Sequence, residues 1–97
     1  MIDHVAIPVR NLEASRKFYD PVLDLLGAKV VLEWPGGMLY GTDDGMLALR
    51  ESEQVAPIHV AFKADRAGVH AFHERAIAAG GSPTDGHNVE AVCHRPE

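Results

Sequence analysis

Asp3-His4-Val5-Ala6-Ile7 returns near mid-chain as Ile58-His59-Val60-Ala61-Phe62, in both cases a histidine followed by Val-Ala and a large apolar residue. Both stretches alternate as a half-buried strand does, with successive side chains pointing to opposite faces. A helix signal follows each of them. After the first, Asn11 is a good N-cap, Ser15, Phe18, Tyr19, Val22 and Leu26 fall at helical spacing, and Gly27 closes the run. After the second, Asp65 is the cap, Val69, Phe72, Ala76 and Ile77 form an apolar stripe, and Gly80-Gly81 ends it. A β-α unit repeated at a spacing of about 55 residues therefore organises the chain.

Working outward, the first strand is expected over residues 2–9, and three more strand patterns occupy Lys29–Trp34, Met38–Thr42 and Gly45–Arg50. Pro35-Gly36-Gly37 separates the first two of these, and Asp43-Asp44-Gly45 is a hairpin turn signal before the third. Pro21 falls inside the first helical run, where proline costs about 3 kcal/mol, so a kink or break is expected there. Gln54-Val55-Ala56-Pro57 reads as the joint between halves. Beyond the second helix only Asn88–His94 has a strand pattern, because Gly81 to His87 is long enough only for a turn. The reading is α+β: paired βαβββ modules, about 1–53 and 57–97 of a single domain spanning 1–97. Their strands would form a curved mixed sheet with helices on the convex side, and the second module is shortened.

A net charge of −5 with scattered lysines and arginines argues against nucleic acid and against an anionic membrane surface. Val5 to Val9 is too short for a signal-peptide core, and no run approaches a membrane span. The single cysteine, Cys93, rules out an internal disulfide framework and suits a reducing, cytoplasmic setting.

Strand parity locates the chemistry. His4 lies opposite Val5, Ile7 and Val9, and His59 lies opposite Ile58, Val60 and Phe62. If the apolar faces cover the helices, both imidazoles stand on the concave face. On the last strand Val89, Ala91 and Cys93 form the apolar set, which leaves Asn88, Glu90, Val92 and His94 on the histidines' side. Two imidazoles and a carboxylate suit non-haem iron, and equally a catalytic zinc or manganese site with open positions.

At this point the sequence resembles the vicinal oxygen chelate superfamily of glyoxalases, extradiol ring-cleavage dioxygenases, fosfomycin-resistance transferases and bleomycin-binding proteins. The resemblance is carried by Asp3-His4-Val5-Ala6-Ile7, Asn11-Leu12, Phe18-Tyr19, Leu25-Leu26-Gly27, His59-Val60-Ala61-Phe62 and Asp85-Gly86-His87-Asn88-Val89-Glu90. It implies His4, His59 and Glu90 as ligands of one divalent metal (Fe, Mn, Zn or Ni). It also implies a small oxygenated substrate chelated to that metal, with ring-cleavage dioxygenase or glyoxalase-type lyase or isomerase chemistry. Trp34, Tyr40 and Arg50 fall on strands that hold substrate in this superfamily, and a homodimer is one implied assembly. The alternative is a non-catalytic small-molecule or drug-binding protein of the bleomycin-resistance kind. The family's second module normally carries two further strands before the Asp-Gly-His segment, whereas here Ser82-Pro83-Thr84 runs almost directly into it.

Other candidates have plainer readings. His70 and His73 share a helix face and read as solvated, His87 reads as a hydrogen-bonding turn residue, and Asn88 as a residue that orients the turn. Glu51 is read as a strand-end carboxylate rather than a fourth ligand, while His94 has the parity of a residue behind the metal.

Overall fold

The computed structural model describes residues 1–81 and 85–94. Its elements are β1 (His4–Val9), α1 (Leu12–Asp24), β2 (Lys29–Trp34), β3 (Gly37–Thr42), β4 (Gly45–Glu51), β5 (His59–Lys63), α2 (Arg66–Ala78) and β6 (Asn88–Val92). The expected alternation of strands and helices is thus observed, with ends shifted by one or two residues.

The first module is a four-stranded mixed sheet in the order β1-β4-β3-β2, with β1 parallel to β4 and the other pairs antiparallel. Asn11 caps α1 through its side chain, which accepts from the Ala14 amide at 2.9 Å. Glu51 adds a second acceptor, taking the Leu12 amide at 3.1 Å, so two of the amides left over in the helix's first turn are satisfied. The helix runs unbroken through Pro21, contrary to the expected break. The carbonyl that Pro21 leaves without an intrahelical donor belongs to Lys17, an exposed residue whose backbone water can serve.

Ile7 and Val9 of β1, Phe18, Tyr19, Val22 and Leu23 of α1, Met38 and Tyr40 of β3, and Leu47 and Leu49 of β4 form one buried cluster. Val5 has the same parity as Ile7 but stays 43% exposed. It faces a cleft of ≈530 Å³ between the modules, whose walls include Leu23, Leu26, Val60 and Phe62.

The second module is thinner. β5 and β6 pair in parallel as a separate two-stranded sheet, and α2 joins them. Two strands about 4.8 Å apart are narrower than a helix of about 10 Å diameter, so the pair covers α2 only in part. Phe72 alone of the expected stripe is buried, while Ile77 remains 61% exposed. The shortening therefore shows in the core as well as in the strand count. Residues 82–84, on which part of the shortened turn falls, lie outside the described residues.

A buried turn joins the modules. The His87 ring, 2% exposed, donates from Nε2 to the Pro8 carbonyl at 2.8 Å and accepts at Nδ1 from the Ile58 amide at 3.1 Å. That pattern requires a neutral imidazole protonated on Nε2. Asp85 accepts from the Arg10 amide at 3.2 Å, and the Arg10 guanidinium lies 3.5 Å from the same oxygen. The Asn88 amide then bonds Ile58 at 2.8 Å and starts the β5–β6 ladder.

His87→Ala removes both ring bonds and leaves a part-buried amide and a part-buried carbonyl without their partner. The variant is expected to lose about 2 kcal/mol of stability, summing two unmade part-buried hydrogen bonds, and urea unfolding measures it.

Candidate functional site

Parity places the side chains as the alternation requires. With Ile7 and Val9 buried beneath α1, His4 and Ala6 are exposed on the opposite face of the first sheet. In the second sheet His59, Ala61 and Lys63 are exposed while Ile58, Val60 and Phe62 are partly buried. Ala61 pairs with Glu90 across the β5–β6 ladder, so Glu90 shares the face of His59 and sits diagonally from it.

His59 and Glu90 meet. His59 Nε2 lies 3.1 Å from Glu90 Oε1, with the two side chains 56% and 50% exposed. His4 does not join them within the chain. It stands on the other sheet opposite Met46, with Nδ1 2.8 Å from its neighbour Asp3. Among the described residues no group of three or more His, Cys, Asp or Glu side chains is close enough to hold a metal. The donor types fit a divalent ion, and one chain brings two of the three together.

The other sequence candidates are also placed. Glu51 caps α1 and points away from His4. His70 and His73 are exposed on α2, and His94 is exposed beyond the end of β6. Tyr40, expected to touch substrate, is a core residue instead: it is 2% exposed and its hydroxyl donates to Asp20 on α1. Its parity with Met38 turns it under the helix. Burial, and then the hydrogen bond to Asp20, push its hydroxyl well above the usual tyrosine range. Arg50 and Trp34 lie on the free face. Arg50 is paired with Pro8 and with Gly37, and Gly37 is paired in turn with Trp34. The Trp34 indole covers Gly37 so closely that a Cβ there would fall 2.3 Å from Nε1.

Two features escaped sequence reading. The role of Asp85 and His87 in tying β6 to β1 depends on contacts across 75 and 79 residues of chain, which no local pattern announces. Gly37 looked like turn punctuation, yet it is the floor beneath an indole.

The chain belongs to the Glyoxalase/Bleomycin resistance protein/Dioxygenase superfamily, whose family model matches residues 1–95. Solved structures carry the same fold. A glyoxalase/bleomycin resistance protein from Albidiferax ferrireducens T118 is 24% identical, with 97% of this chain and 99% of that one aligned and a TM-score of 0.83. Lactoylglutathione lyase from Agrobacterium tumefaciens is 21% identical over 97% of this chain and 93% of its own, with a TM-score of 0.75. Fosfomycin resistance protein FosX from Mesorhizobium loti is 21% identical over 99% and 93%, with a TM-score of 0.77. Comparison with curated proteins gives no significant match. Among the described residues no helix is long and apolar enough to cross a membrane.

Gly37→Ala should drive the indole off the sheet, since the added methyl and the ring cannot share the space. Trp34 is the chain's single tryptophan, so a red shift of intrinsic emission in the variant reports the displacement directly.

Proposed function

We propose that the protein is a metal-dependent enzyme of its superfamily, acting on a small oxygenated substrate at a site built from His4, His59 and Glu90. The observation that supports this most is the contact of His59 with Glu90, an imidazole and a carboxylate half exposed on a free sheet face. No packing need explains that pair there. A metal needs a free lone pair on the His59 ring and an ionised Glu90 carboxylate, so binding competes with acid. A divalent ion held there would supply Lewis acidity toward substrate oxygens. Glu90 contributes the negative charge that offsets the ion, and the β5–β6 register holds it beside His59.

The third ligand in this reading is His4 of a second copy. His4 and His59 open equivalent strands of the two modules, and within one chain they stand on separate sheets. Two chains exchanging modules would present His4 of one to the His59–Glu90 pair of the other, giving two identical sites about a two-fold axis. Ring-cleavage oxygenation and glyoxalase-type lyase or isomerase chemistry both suit such a site, and the ion that is bound separates them: iron for the first, zinc or nickel for the second.

Metal analysis of the purified protein should find about one ion per chain, lost in His4→Ala, His59→Ala and Glu90→Ala, as a site with three protein ligands requires. Refolding His4→Ala together with His59→Ala should restore about a quarter of the parental ions, since half the dimers are mixed and each holds one intact site. A parent without stoichiometric metal sinks the enzyme reading. Metal in the parent with no recovery on mixing sinks only the second copy.

A further inference from the structure

The first module's free face has a charge pattern that the metal reading does not use. Its row farthest from His4 runs Pro8, Arg50, Gly37, Trp34, each directly opposite the next across the sheet. The next row toward His4 runs Ala6, Ala48, Leu39, Leu32 and carries no charge at all. His4 lies four residues along β1 from Pro8, roughly 13 Å at strand spacing. Leu32 is 57% exposed and Trp34 39% exposed, in a chain whose other aromatic rings are mostly buried.

Arg50 differs from the other described arginines. Arg10 faces Asp85, Arg16 faces Asp20 and Glu33, Arg75 donates to the Pro21 carbonyl, and Arg66 is also engaged. No carboxylate or carbonyl engages Arg50 among the described residues, although the chain carries a net charge of −5 and acids are plentiful. A guanidinium unpaired among the described residues, across the ladder from the glycine that an indole covers and at the edge of a floor of alanines and leucines, fits one chemistry. The guanidinium offers a fork of N–H donors to a carboxylate, the indole offers a flat apolar wall, and small side chains leave room for a ring.

We propose that Arg50 and Trp34 form a subsite for the carboxylate end of a flat, apolar acid, and that the enzyme's substrate belongs to the aryl or arylalkyl carboxylic acids. The proposal rests on the free face being the substrate side, but it does not require the metal. Gly37 belongs to the subsite because it stands between Arg50 and Trp34 in the ladder, and its missing side chain leaves the space that the indole occupies. The other end of such an acid is directed over the alanine row toward His4.

The test is ligand titration of the whole protein, read by Trp34 emission and by its single indole N–H resonance. The probes are 3-phenylpropionate, 3-phenylpropionamide, acetate and inorganic phosphate. The acid should perturb the indole saturably and bind at least about 10-fold tighter than the amide, the worth of one charge-assisted hydrogen bond. Arg50→Gln should reduce the acid to the affinity of the amide while leaving the amide unchanged, and Arg50→Lys should retain part of the preference. The preference should persist in His4→Ala, so a failed metal assignment would leave this result standing. Equal affinity for acid and amide overturns the proposal, as does an indole that responds to neither. Survival of the preference in Arg50→Gln, its loss in His4→Ala, or tighter binding of bare phosphate than of the aryl acid also overturns it.

Discussion

The covering of one sheet face by α1 is the constraint from which the rest follows. A strand has two faces, and burying Ile7, Val9, Leu47 and Leu49 beneath Phe18, Tyr19, Val22 and Leu23 commits the other face to the outside. His4, Arg50 and Trp34 are where they are because their neighbours in sequence are needed in the core. A slip of one residue in β1 would exchange His4 for Val5 and expose the apolar set. Function on this face and stability under the helix are thus set by a single register.

The second module satisfies the same rule with less material. Two strands cannot blanket a helix, so part of α2's apolar stripe is left at the surface, and the module's place depends on polar bonds at one end. His87 and Asp85 supply those bonds at the ends of β1 and β5, where Pro8, Arg10 and Ile58 present carbonyl and amide groups. Buried Asp85 also acts on Tyr19, whose hydroxyl has no hydrogen-bond partner among the described residues. Burial first, and then this nearby carboxylate, raise its pKa, so the phenol stays neutral within α1. The joint is polar where the rest of the core is mostly apolar, which gives it direction as well as adhesion.

Much of this was legible in the sequence. The His-Val-Ala repeat, the caps Asn11 and Asp65, the glycines that close each helix, and the parity that puts His59 and Glu90 on one face all rest on neighbours within a few residues. What could not be read depends on distance along the chain. Tyr40 carries the same strand propensity on either face, and only the position of α1 decides which. Pro21 reads as a breaker because its cost is local, whereas the relief comes from a helix edge open to water. The separation of His4 from His59 is a property of two sheets that no alternation pattern records.

One further consequence concerns the order in which the molecule can be made. The ring of His87 reaches back across 79 residues to Pro8, and Asp85 across 75 to Arg10. These are long loops to close, and closure entropy must be met before the contacts repay it. The strand ladders of the four-stranded sheet close over shorter spans, 42 residues between His4 and Met46, all within the first 51 residues. Glu90 meets His59 through the local β5–β6 ladder, so the long spans delay the docking of that sheet onto β1 rather than the pair itself. During synthesis from the N-terminus, the first module can be complete while the carboxylate half of the site is still to emerge.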